Sequence, residues 1–354
     1  MTKADLDVLL EELVLREGSD LHLRFGEPPM MRVTGSLQKM ETSPLDDNNL
    51  KELIYGLMNG QQQAQFEAEH EFDMAYEISG VARFRVNVFR QMRHIAAVMR
   101  IIPLKIKSLE EWGFPAVFKK IALLPRGLVL VTGPTGSGKS TTLASIIEHI
   151  NQTQRKHIIT IEDPIEFLHR DKNSIIEQRE NGIDTHSYSE ALRRIIRQNP
   201  DIILVGEMRD LDTIAQTITA AETGHLVFST LHTIDAVQTI DRIIDVFPPA
   251  QQQQIRLQLS TTLQAVITET LLRRKDGPGR VAAFEIMVCT PAIRSAIREA
   301  KTPQVYTSIQ TGSRMGMIQM DQYLRNLLNQ GIIEYEEALT HCTNPDEFEK
   351  RAHT

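Results

Sequence analysis

The sequence predicts an α/β protein in which a small α+β domain precedes a larger domain with an open, largely parallel sheet. Three observations support this prediction. A glycine-rich loop lies between an apolar strand and an amphipathic helix, and short apolar strands alternate with helical patterns from Gly127 onward. The N-terminal third instead carries stretches in which polar and apolar residues alternate. Alternating strands and helices are typical of a parallel sheet covered by helices, whereas a two-residue period is typical of half-buried antiparallel strands.

The composition is ordinary for a soluble globular protein. The chain has 354 residues, of which 41% are hydrophobic and 24% are charged, so it is long enough for two domains with a buried core in each. Its net charge of -7 gives no general attraction to nucleic acid or to an anionic membrane surface. No apolar run approaches the roughly 20 residues that a membrane-spanning helix needs, and the N-terminus lacks the apolar core of a signal peptide. We therefore expect a cytosolic protein. Cys289 and Cys342 lie far apart, which predicts neither a disulfide framework nor a cysteine zinc site.

The N-terminal third is predicted to form an antiparallel meander packed on one or two helices. Helical or alternating spacing marks four stretches: a helix over residues 6–14, a strand over 20–25, a helix over 49–58 and strands from 71 to 102. Ser79-Gly80 is expected to form a turn within the last stretch. We assign residues 1–102 to this domain and residues 103–125 to a linker. In the linker we expect three aromatic residues to anchor a helix: Trp112, Phe114 and Phe118.

Several arginines lie on or near the predicted strands: Arg83, Arg85, Arg90, Arg93 and Arg100. For any one of them, a solvated face is the simpler interpretation. The functional alternative is that some of them reach a nucleotide held by a neighbouring subunit, because guanidinium groups strongly stabilise the charge of phosphoryl transfer.

The most informative stretch has the P-loop spacing G-x-x-x-x-G-K-[ST] between a strand, Leu128-Val129-Leu130-Val131, and an amphipathic helix. Glycines let consecutive backbone N–H groups point into one concavity, where the helix N-terminus adds partial positive charge for a nucleotide's phosphates. Lys139 supplies a cation for the β and γ phosphates, and Ser140 supplies a hydroxyl for the Mg²⁺ that bridges them. A turn that merely links strand and helix is the alternative, but the flanks and the spacing both favour phosphate binding. The predicted nucleotide-binding residues are Gly133, Pro134, Thr135, Gly136, Ser137, Gly138, Lys139, Ser140 and Thr141.

Acidic residues follow the next predicted strand, residues 157–161. In open α/β sheets, ligands gather beyond the carboxyl ends of the strands, so these side chains are expected near the P-loop. Glu162 is the better candidate for ordering metal-bound or attacking water, and Glu166 is the second. A surface acidic turn without a catalytic role is the alternative.

A second buried strand, residues 201–205, ends in Gly206-Glu207 and resembles a Walker B arrangement. Gly206 occupies the position where an aspartate usually helps to hold Mg²⁺, which makes metal coordination by this strand doubtful. Glu207 is nevertheless well placed to orient and deprotonate water against the γ phosphate. The strand over residues 225–233 has a histidine at each end, but without a third ligand the pair does not make a metal site. His232 is the more plausible phosphate sensor of the two because it lies at the carboxyl end of the strand.

The rest of the larger domain is predicted as helices and loops. Helical spacing covers residues 188–198, 211–222 and 237–244, and a long helix is expected after Pro248-Pro249 through Leu259, Leu263 and Ile267 to Leu271. Residues 273–280 are expected to form a charged turn. We assign residues 126–290 to the nucleotide-binding core and residues 291–354 to a C-terminal helical region.

Together these motifs resemble the secretion-ATPase family of P-loop motors and, within it, the type IV pilus retraction ATPases. The resemblance extends over nearly the whole chain and rests on residues 133–140, the acidic segment 161–166, the segment 201–210 and the segment 223–233. Residues 292–299 resemble the C-terminal AIRNLIRE motif of retraction proteins, with Ser295 and Ala296 in place of Asn and Leu. Because Ala296 is still apolar and the arginines and the glutamate remain, we expect this helix to keep its role.

The resemblance implies a homohexameric ring in which each subunit has a PAS-like N-terminal domain and a RecA-like ATPase domain. It implies that ATP lies between the two domains and that Arg83 and Arg85 match arginines that approach the nucleotide at a subunit boundary. It also implies Mg²⁺-dependent ATP hydrolysis that powers pilus retraction and twitching motility from a cytoplasmic position docked at the inner-membrane pilus base. The implied partners are the inner-membrane platform protein and a paralogous retraction ATPase, and no nucleic acid is expected. Related assembly ATPases carry an extra N-terminal region and a four-cysteine metal motif, and the lack of both patterns here favours retraction.

Our hypothesis is that Glu207 activates water, that Glu162 supports the metal-water shell and that His232 senses hydrolysis. Two functions of other classes remain as alternatives. An accessory subunit that binds nucleotide and scaffolds a partner motor would show little steady-state ATPase activity. A DNA translocase would bind single-stranded DNA in a salt-sensitive way, and the acidic net charge disfavours it.

Overall fold

The computed structural model describes residues 3–33, 35–102, 105–277 and 279–352. The chain divides into two units. Unit 1 comprises Met1–Lys105 and Pro164–Leu168, and unit 2 comprises Ile106–Asp163 and His169–Thr354. Positions 103 and 104 of the predicted linker and position 278 of the predicted charged turn lie outside the described residues. Within the described ranges, no helix has both the length and the apolar character needed to cross a membrane.

Unit 1 is a six-stranded antiparallel sheet with helices packed on it, in the part of the chain that the structure describes. Its helices are α1 (Lys3–Leu15), α2 (Asp47–Tyr55) and α3 (Gly60–Glu69). Its strands are β1 (Gly18–Leu23), β2 (Met30–Val33), β3 (Ser36–Lys39), β4 (Glu71–Ile78), β5 (Ala82–Gln91) and β6 (His94–Ile102). They are ordered β3-β2-β1-β6-β5-β4 across the sheet. The predicted meander is therefore present, and the hairpin of β2 and β3 and helix α3 are additions that the sequence analysis did not predict.

Alternation along β5 sorts its side chains onto two faces. Phe84, Val86 and Val88 are fully buried in the core of unit 1, where leucines of α1 also lie. Arg83 and Arg85 occupy the alternate, partly exposed positions. This is the two-residue period expected of a strand with one face on a core, and it places the two arginines on the face away from that core.

Unit 2 carries the remaining elements. Its helices are α4 (Val117–Ala122), α5 (Lys139–Thr153), α6 (Tyr188–Ile195), α7 (Leu211–Glu222), α8 (Ala236–Asp245), α9 (Pro249–Thr262), α10 (Pro291–Arg298), α11 (Pro303–Thr311), α12 (Met320–Asn329), α13 (Tyr335–His341) and α14 (Pro345–Ala352). Its strands are β7 (Gly127–Thr132), β8 (His157–Glu162), β9 (Ile175–Glu180), β10 (Ile202–Val205), β11 (Leu226–Leu231), β12 (Leu263–Arg273) and β13 (Arg280–Val288).

These strands form one sheet in the order β13-β12-β7-β11-β10-β8-β9 among the described residues. Each neighbouring pair is parallel except β12 and β13. Apolar side chains of β7 bury on both faces of the sheet, since Leu128 and Leu130 belong to one core cluster and Val129 and Val131 to another. The predicted open, largely parallel sheet covered by helices is confirmed.

One predicted helix is wrong beyond its midpoint. The helix after Pro248 ends at Thr262, and the chain continues from Leu263 as β12 rather than as helix to Leu271. Leu259, Leu263, Ile267 and Leu271 repeat every four residues, as on one face of a helix. The segment is instead paired on both sides, with β7 and β13. A strand buried on both faces is mostly apolar on both, so the spacing of its apolar residues does not distinguish it from a buried helix.

The aromatic residues before β7 anchor the start of unit 2 in a slightly different way from that expected. Helix α4 begins only at Val117, after Trp112 and Phe114. Phe118 is fully buried and packs edge-on against Phe284 of β13, and Phe114 contacts both rings. Trp112 is 42% exposed, so the anchoring comes from the two phenylalanines.

Helix α10 carries the segment that resembles the retraction motif. Its apolar side chains Ile293, Ala296 and Ile297 are buried in the core. The guanidinium of Arg294 donates to the carbonyl oxygens of Ser260 at 2.9 Å and Thr261 at 3.0 Å, and to Oε1 of Gln264 at 2.9 Å. Arg294 thus satisfies carbonyl groups at the C-terminus of α9, where a helix leaves its last carbonyls without intrahelical partners.

Candidate nucleotide-binding site

The loop between β7 and α5 requires glycine at several positions. Gly133, Gly136 and Gly138 have φ angles of 142°, 78° and 107°, which residues with a Cβ rarely adopt. Space imposes the same requirement, because a Cβ on Gly133 would lie 2.2 Å from the carbonyl oxygen of Glu269. The backbone can therefore take up the tight curve that lets successive N–H groups face one concavity.

The N-terminus of α5 is open for an anion. Gly138 is its N-cap and offers no side-chain hydrogen bond to the first turn, so the N–H groups of that turn are available to a phosphate. Lys139 Nζ donates to the carbonyl oxygens of Gly133 at 2.9 Å and Pro134 at 3.0 Å, which holds the ammonium group against the loop. Ser140, next along the helix, is exposed, so its hydroxyl is accessible to a metal ion bound with a nucleotide.

A buried glutamate that the sequence analysis missed lies against this loop. Glu269 of β12 is 1% exposed, and its Oε2 is 2.6 Å from the hydroxyl of Thr142 in the first turns of α5. The signal was present in the sequence as the one acidic residue in a largely apolar stretch, residues 263–272. Assigning that stretch to a helix concealed it.

The structure brings Glu207 and His232 together. His232 Nε2 lies 2.9 Å from Glu207 Oε1, and Arg209 Nε lies 2.8 Å from the same oxygen. Burial would raise the pKa of Glu207, but hydrogen bonds and positive charge from Arg209 and His232 outweigh it and bring this pKa below its ordinary value. The Glu207 carboxylate is therefore ionised at neutral pH, and its side chain is 18% exposed.

Glu162 lies one strand further along the same edge of the sheet. Its Oε1 accepts hydrogen bonds from Thr160 Oγ1 at 2.6 Å and Gln178 Nε2 at 3.1 Å. Burial raises the pKa of the Tyr188 hydroxyl, and the negative charges of Asp163, Glu162 and Glu207 raise it further. The two predicted carboxylates thus share Tyr188 as a neighbour.

The space around Gly206 explains why a glycine replaces the aspartate of the Walker B pattern. A Cβ at this position would lie 3.0 Å from the hydroxyl of Tyr188, 3.1 Å from the carbonyl oxygen of Ile161 and 3.3 Å from the Cα of Glu162. The Gly206 N–H also donates to the Ile161 carbonyl at 2.8 Å. The ends of β10 and β8 therefore approach too closely for an aspartate, so Glu207 is the first residue of this strand end that can present a carboxylate.

Strand order places the predicted residues along one edge. The neighbours β7, β11, β10 and β8 are all parallel, and they are followed by the P-loop, His232, Gly206-Glu207 and Glu162 respectively. His225 precedes β11 at the opposite edge, where its Nδ1 lies 2.9 Å from the carbonyl oxygen of Ala220.

The other predicted residues belong to unit 1. Arg83 lies 3.8 Å from Glu77, and Arg85 lies 4.0 Å from Asp73 and 3.5 Å from Glu166. Glu166, the second acidic candidate, is therefore an ion-pair partner of Arg85 within unit 1. Arg90 and Arg100 make shorter pairs, with Glu67 at 2.5 Å and Asp20 at 2.8 Å, which fits the structural interpretation of these two arginines.

Comparison with known proteins identifies the family. The family model described as type II/IV secretion system protein matches residues 2–277. The chain belongs to the type II/IV secretion system protein family. It is an ATPase of this family, with a RecA-like P-loop domain preceded by a small α+β domain, and the fold and family predicted from the sequence are confirmed.

Relatives within the family are similar over most of their length. The type IV pilus retraction ATPase PilT of Pseudomonas aeruginosa is 52% identical over 344 residues, which cover 97% of this chain and 100% of the relative. A twitching motility protein of Neisseria gonorrhoeae is 49% identical over 318 residues, 90% of this chain and 85% of the relative. A crystal structure of the pilus retraction motor PilT with bound ADP is 44% identical, with a TM-score of 0.90, and covers 97% of this chain and 98% of the other.

Proposed function

We propose that this protein is a hexameric motor that hydrolyses ATP in a Mg²⁺-dependent reaction and powers type IV pilus retraction and twitching motility. The observation that carries the proposal is the alignment of a phosphate-binding loop, His232 and Glu207 on three adjacent strand ends. A nucleotide held by the loop would lie at the same edge of the sheet as the ionised carboxylate of Glu207. The identity of the relatives as pilus retraction and twitching proteins supports the biological role.

Residues 133–141 bind the triphosphate. Backbone N–H groups of the loop and the uncapped first turn of α5 donate to phosphate oxygens, and Lys139 exchanges its two carbonyl partners for the β and γ phosphates. Ser140 would provide a hydroxyl ligand for Mg²⁺, an ion that usually takes one or two protein ligands together with substrate phosphates. When bound, Mg²⁺ supplies charge neutralisation at the β and γ phosphates.

Glu207 orients the attacking water and accepts its proton. Because the carboxylate is ionised at neutral pH, it can accept a hydrogen bond from water without first losing a proton. His232 Nε2 contacts Oε1 of Glu207, so a change at the γ phosphate that moves one of these side chains also displaces the other. Glu162, held by Thr160 and by Gln178 on the neighbouring strand, would hydrogen-bond water that hydrates the metal.

The partners follow from the same proposal. Six copies form a ring in which Arg83 and Arg85 stabilise phosphoryl-transfer charge on a nucleotide held by a neighbouring subunit. The ring docks at the inner-membrane base of the pilus from the cytoplasm and does work on the platform protein, and a paralogous retraction ATPase is a further partner. Nucleic acid is not among the proposed partners, since the net charge of -7 gives no general attraction to it.

The decisive experiment replaces Glu207 by Gln in the purified protein. We expect ATP turnover to fall by about 10² to 10⁴-fold, as on loss of a general base, while the Kd for ATP measured with Mg²⁺ changes by less than about threefold. Glu162→Gln tests the neighbouring carboxylate, and a smaller loss of turnover is expected. Glu177→Gln, at an exposed acidic position of β9, is the matched control and should leave turnover unchanged.

The same Glu207→Gln substitution in the chromosome tests the direction of work. Cells that lose retraction should keep surplus surface pili and lose twitching, whereas bald cells would assign the protein to assembly. Loss of ATP binding in the variant would give Glu207 a structural role. A larger loss of turnover in Glu162→Gln than in Glu207→Gln would reverse the roles of the two carboxylates.

A further inference from the structure

Glu269 is an acidic residue placed inside the core beside the phosphate-binding loop. Its side chain is 1% exposed. Oε2 has one hydrogen-bond partner, the Thr142 hydroxyl at 2.6 Å, and Oε1 has none among the described residues. Since an ionised carboxylate normally takes several hydrogen bonds or a close cation when it is buried, this arrangement suits the protonated acid.

The residue touches the beginning and the end of the loop as well as the helix that follows. Its carbonyl oxygen fills the space where a Cβ of Gly133 would lie, at 2.2 Å. Its Oε1 lies 3.2 Å from the position of a Cβ on Gly138, and its Oε2 is bonded to Thr142. Glu269 therefore contacts the beginning of the loop through its backbone carbonyl, and the end of the loop and the start of α5 through its carboxyl group.

The charged group that acts on Glu269 is Lys139, on the loop itself. The other neighbours that face it are uncharged: the loop glycines after β7, Thr142 on α5, and Phe284, its pairing partner on β13. Burial raises the pKa of Glu269 to about 8, against smaller opposing effects of Thr142 and Lys139. At neutral pH the side chain is therefore mostly uncharged.

We infer that Glu269 is a positioning residue that supports the phosphate-binding loop from beneath as an uncharged carboxylic acid, so that loss of its proton weakens nucleotide binding. The inference rests on the proposed binding of nucleotide at this loop. A carboxylate in this position would repel the phosphates and would draw Lys139 toward itself. Binding of nucleotide and ionisation of Glu269 are thus opposed, and by linkage the nucleotide holds the proton on Glu269.

The sign of the effect follows from this linkage. Without nucleotide the pKa of Glu269 is about 8, and with nucleotide bound it lies higher. At a pH between these two pKa values, nucleotide binding is therefore accompanied by uptake of a proton. The Kd for nucleotide should therefore rise with pH, by roughly tenfold between pH 7 and pH 9. Below pH 7 the residue is protonated in both states, and its contribution to the pH dependence disappears.

Calorimetric titration of the full-length protein with ADP at pH 7, 8 and 9, in EDTA so that metal binding does not contribute, tests the inference. The Kd of the wild type for ADP should rise roughly tenfold over this range. Glu269→Gln keeps the shape of the side chain and a partner for Thr142 but has no proton to lose. At pH 7 its Kd for ADP should equal that of the wild type. Between pH 7 and pH 9 its Kd should rise by less than about twofold, apart from changes that both proteins show. Proton uptake at pH 8.5, measured in buffers of different ionisation enthalpy, should be present in the wild type and nearly absent in this variant.

Glu285→Gln is the matched control. Glu285 is also a buried glutamate of this sheet, 3% exposed, and burial raises its pKa to about 7, but its Oε1 accepts from the N–H of Ala236 at the start of α8. This variant should keep the wild-type dependence on pH. Thr142→Val gives a second measurement, because loss of the bond that favours the carboxylate should move the weakening to higher pH.

The outcomes separate the two proposals. A wild type that binds ADP with a flat pH profile, a Glu269→Gln variant with the wild-type slope, or a Glu285→Gln variant that loses the slope each overturns the inference. An unchanged profile in Thr142→Val does the same. A folded wild type that does not bind ADP at any of these pH values would instead overturn nucleotide binding at the loop.

Discussion

The glycine at position 206 shows how one missing side chain sets the geometry of two strand ends. Tyr188, Ile161 and Glu162 close around the place where its Cβ would be. Position 206 therefore has no carboxylate, and the absence of a side chain allows the ends of β10 and β8 to approach closely. Glu207 and Glu162 are consequently presented side by side at the same edge.

We expect Gly206→Ala to be tolerated and Gly206→Asp to be damaging. The contacts of 3.0–3.3 Å require shifts of a few tenths of an ångström for a methyl group, at a cost of about 1 kcal/mol. An aspartate must displace Tyr188 and adds a third negative charge beside Glu162 and Glu207. ATP turnover should fall about tenfold or more, and the melting temperature by several degrees, in Gly206→Asp.

Gly277→Asp is the control for that substitution, since none of the described residues has an atom within 4 Å of a Cβ at Gly277. It should match the wild type in both measurements. A Gly206→Asp variant with normal turnover and stability would show that the strand ends can separate without consequence.

Among the helices, α10 is tied to α9 by an arginine that acts as a C-terminal cap. Arg294 reaches the carbonyl oxygens of Ser260 and Thr261. Ala296 of the same helix is 4% exposed, whereas Ser295 bonds Glu299 and Arg298 at the surface. The segment that resembles the retraction motif therefore keeps its packing despite the two changed residues, because the buried one is still apolar.

Removal of the cap should destabilise unit 2. Arg294→Ala leaves carbonyl groups of α9 without their charged donor, and hydrogen bonds to charged groups contribute about 1.5–3 kcal/mol. We expect the free energy of unfolding, measured by denaturant titration, to fall by about 1–3 kcal/mol. Arg298→Ala, on the same helix but exposed, should change it by less than about 0.5 kcal/mol. Equal effects of the two substitutions would contradict the capping role of Arg294.

For the proposed ring, the arginines of unit 1 give a test of cooperation between subunits. Arg83 and Arg85 lie on the face of the unit 1 sheet away from its core, in ion pairs of 3.5–4.0 Å. Pairs of that length at a partly exposed site contribute little to stability. Arg85, whose side chain is 41% exposed, can therefore be recruited by a nucleotide without a large loss of folding free energy.

We expect the Arg83→Ala/Arg85→Ala double variant and the Lys139→Ala variant each to lack ATPase activity alone and to regain it when mixed. In a mixed ring, an intact P-loop of the first variant can lie beside intact arginines of the second. An active site needs an intact P-loop on one subunit and intact arginines on the next. In a head-to-tail ring assembled at random from equal amounts, about one quarter of the sites have both, so about one quarter of wild-type turnover should return. A mixture that stays inactive would place the arginines on their own subunit's nucleotide or outside the reaction, and mixing each variant with itself is the control.

The amino-acid sequence specified the parts of this protein whose signals are local. The P-loop, the strand before it and the helix after it follow from glycine positions and apolar spacing within about 25 residues, and α7 follows from a helical period between an N-cap and a glycine. The alternation that places Arg83 and Arg85 opposite the core of unit 1 is also local.

The tertiary structure alone decided the features that depend on residues far apart in the chain. Leu263 to Arg273 is a strand because β7 and β13 pair with it, not because of its own period. Glu269 meets Thr142 across 127 positions of sequence, and Gly206 has no room for a side chain only because β8 and Tyr188 pack there. A strand buried on both faces has apolar residues on both and so shows no two-residue period that would identify it. The neighbours that determine its conformation and its chemistry come together only in the folded chain.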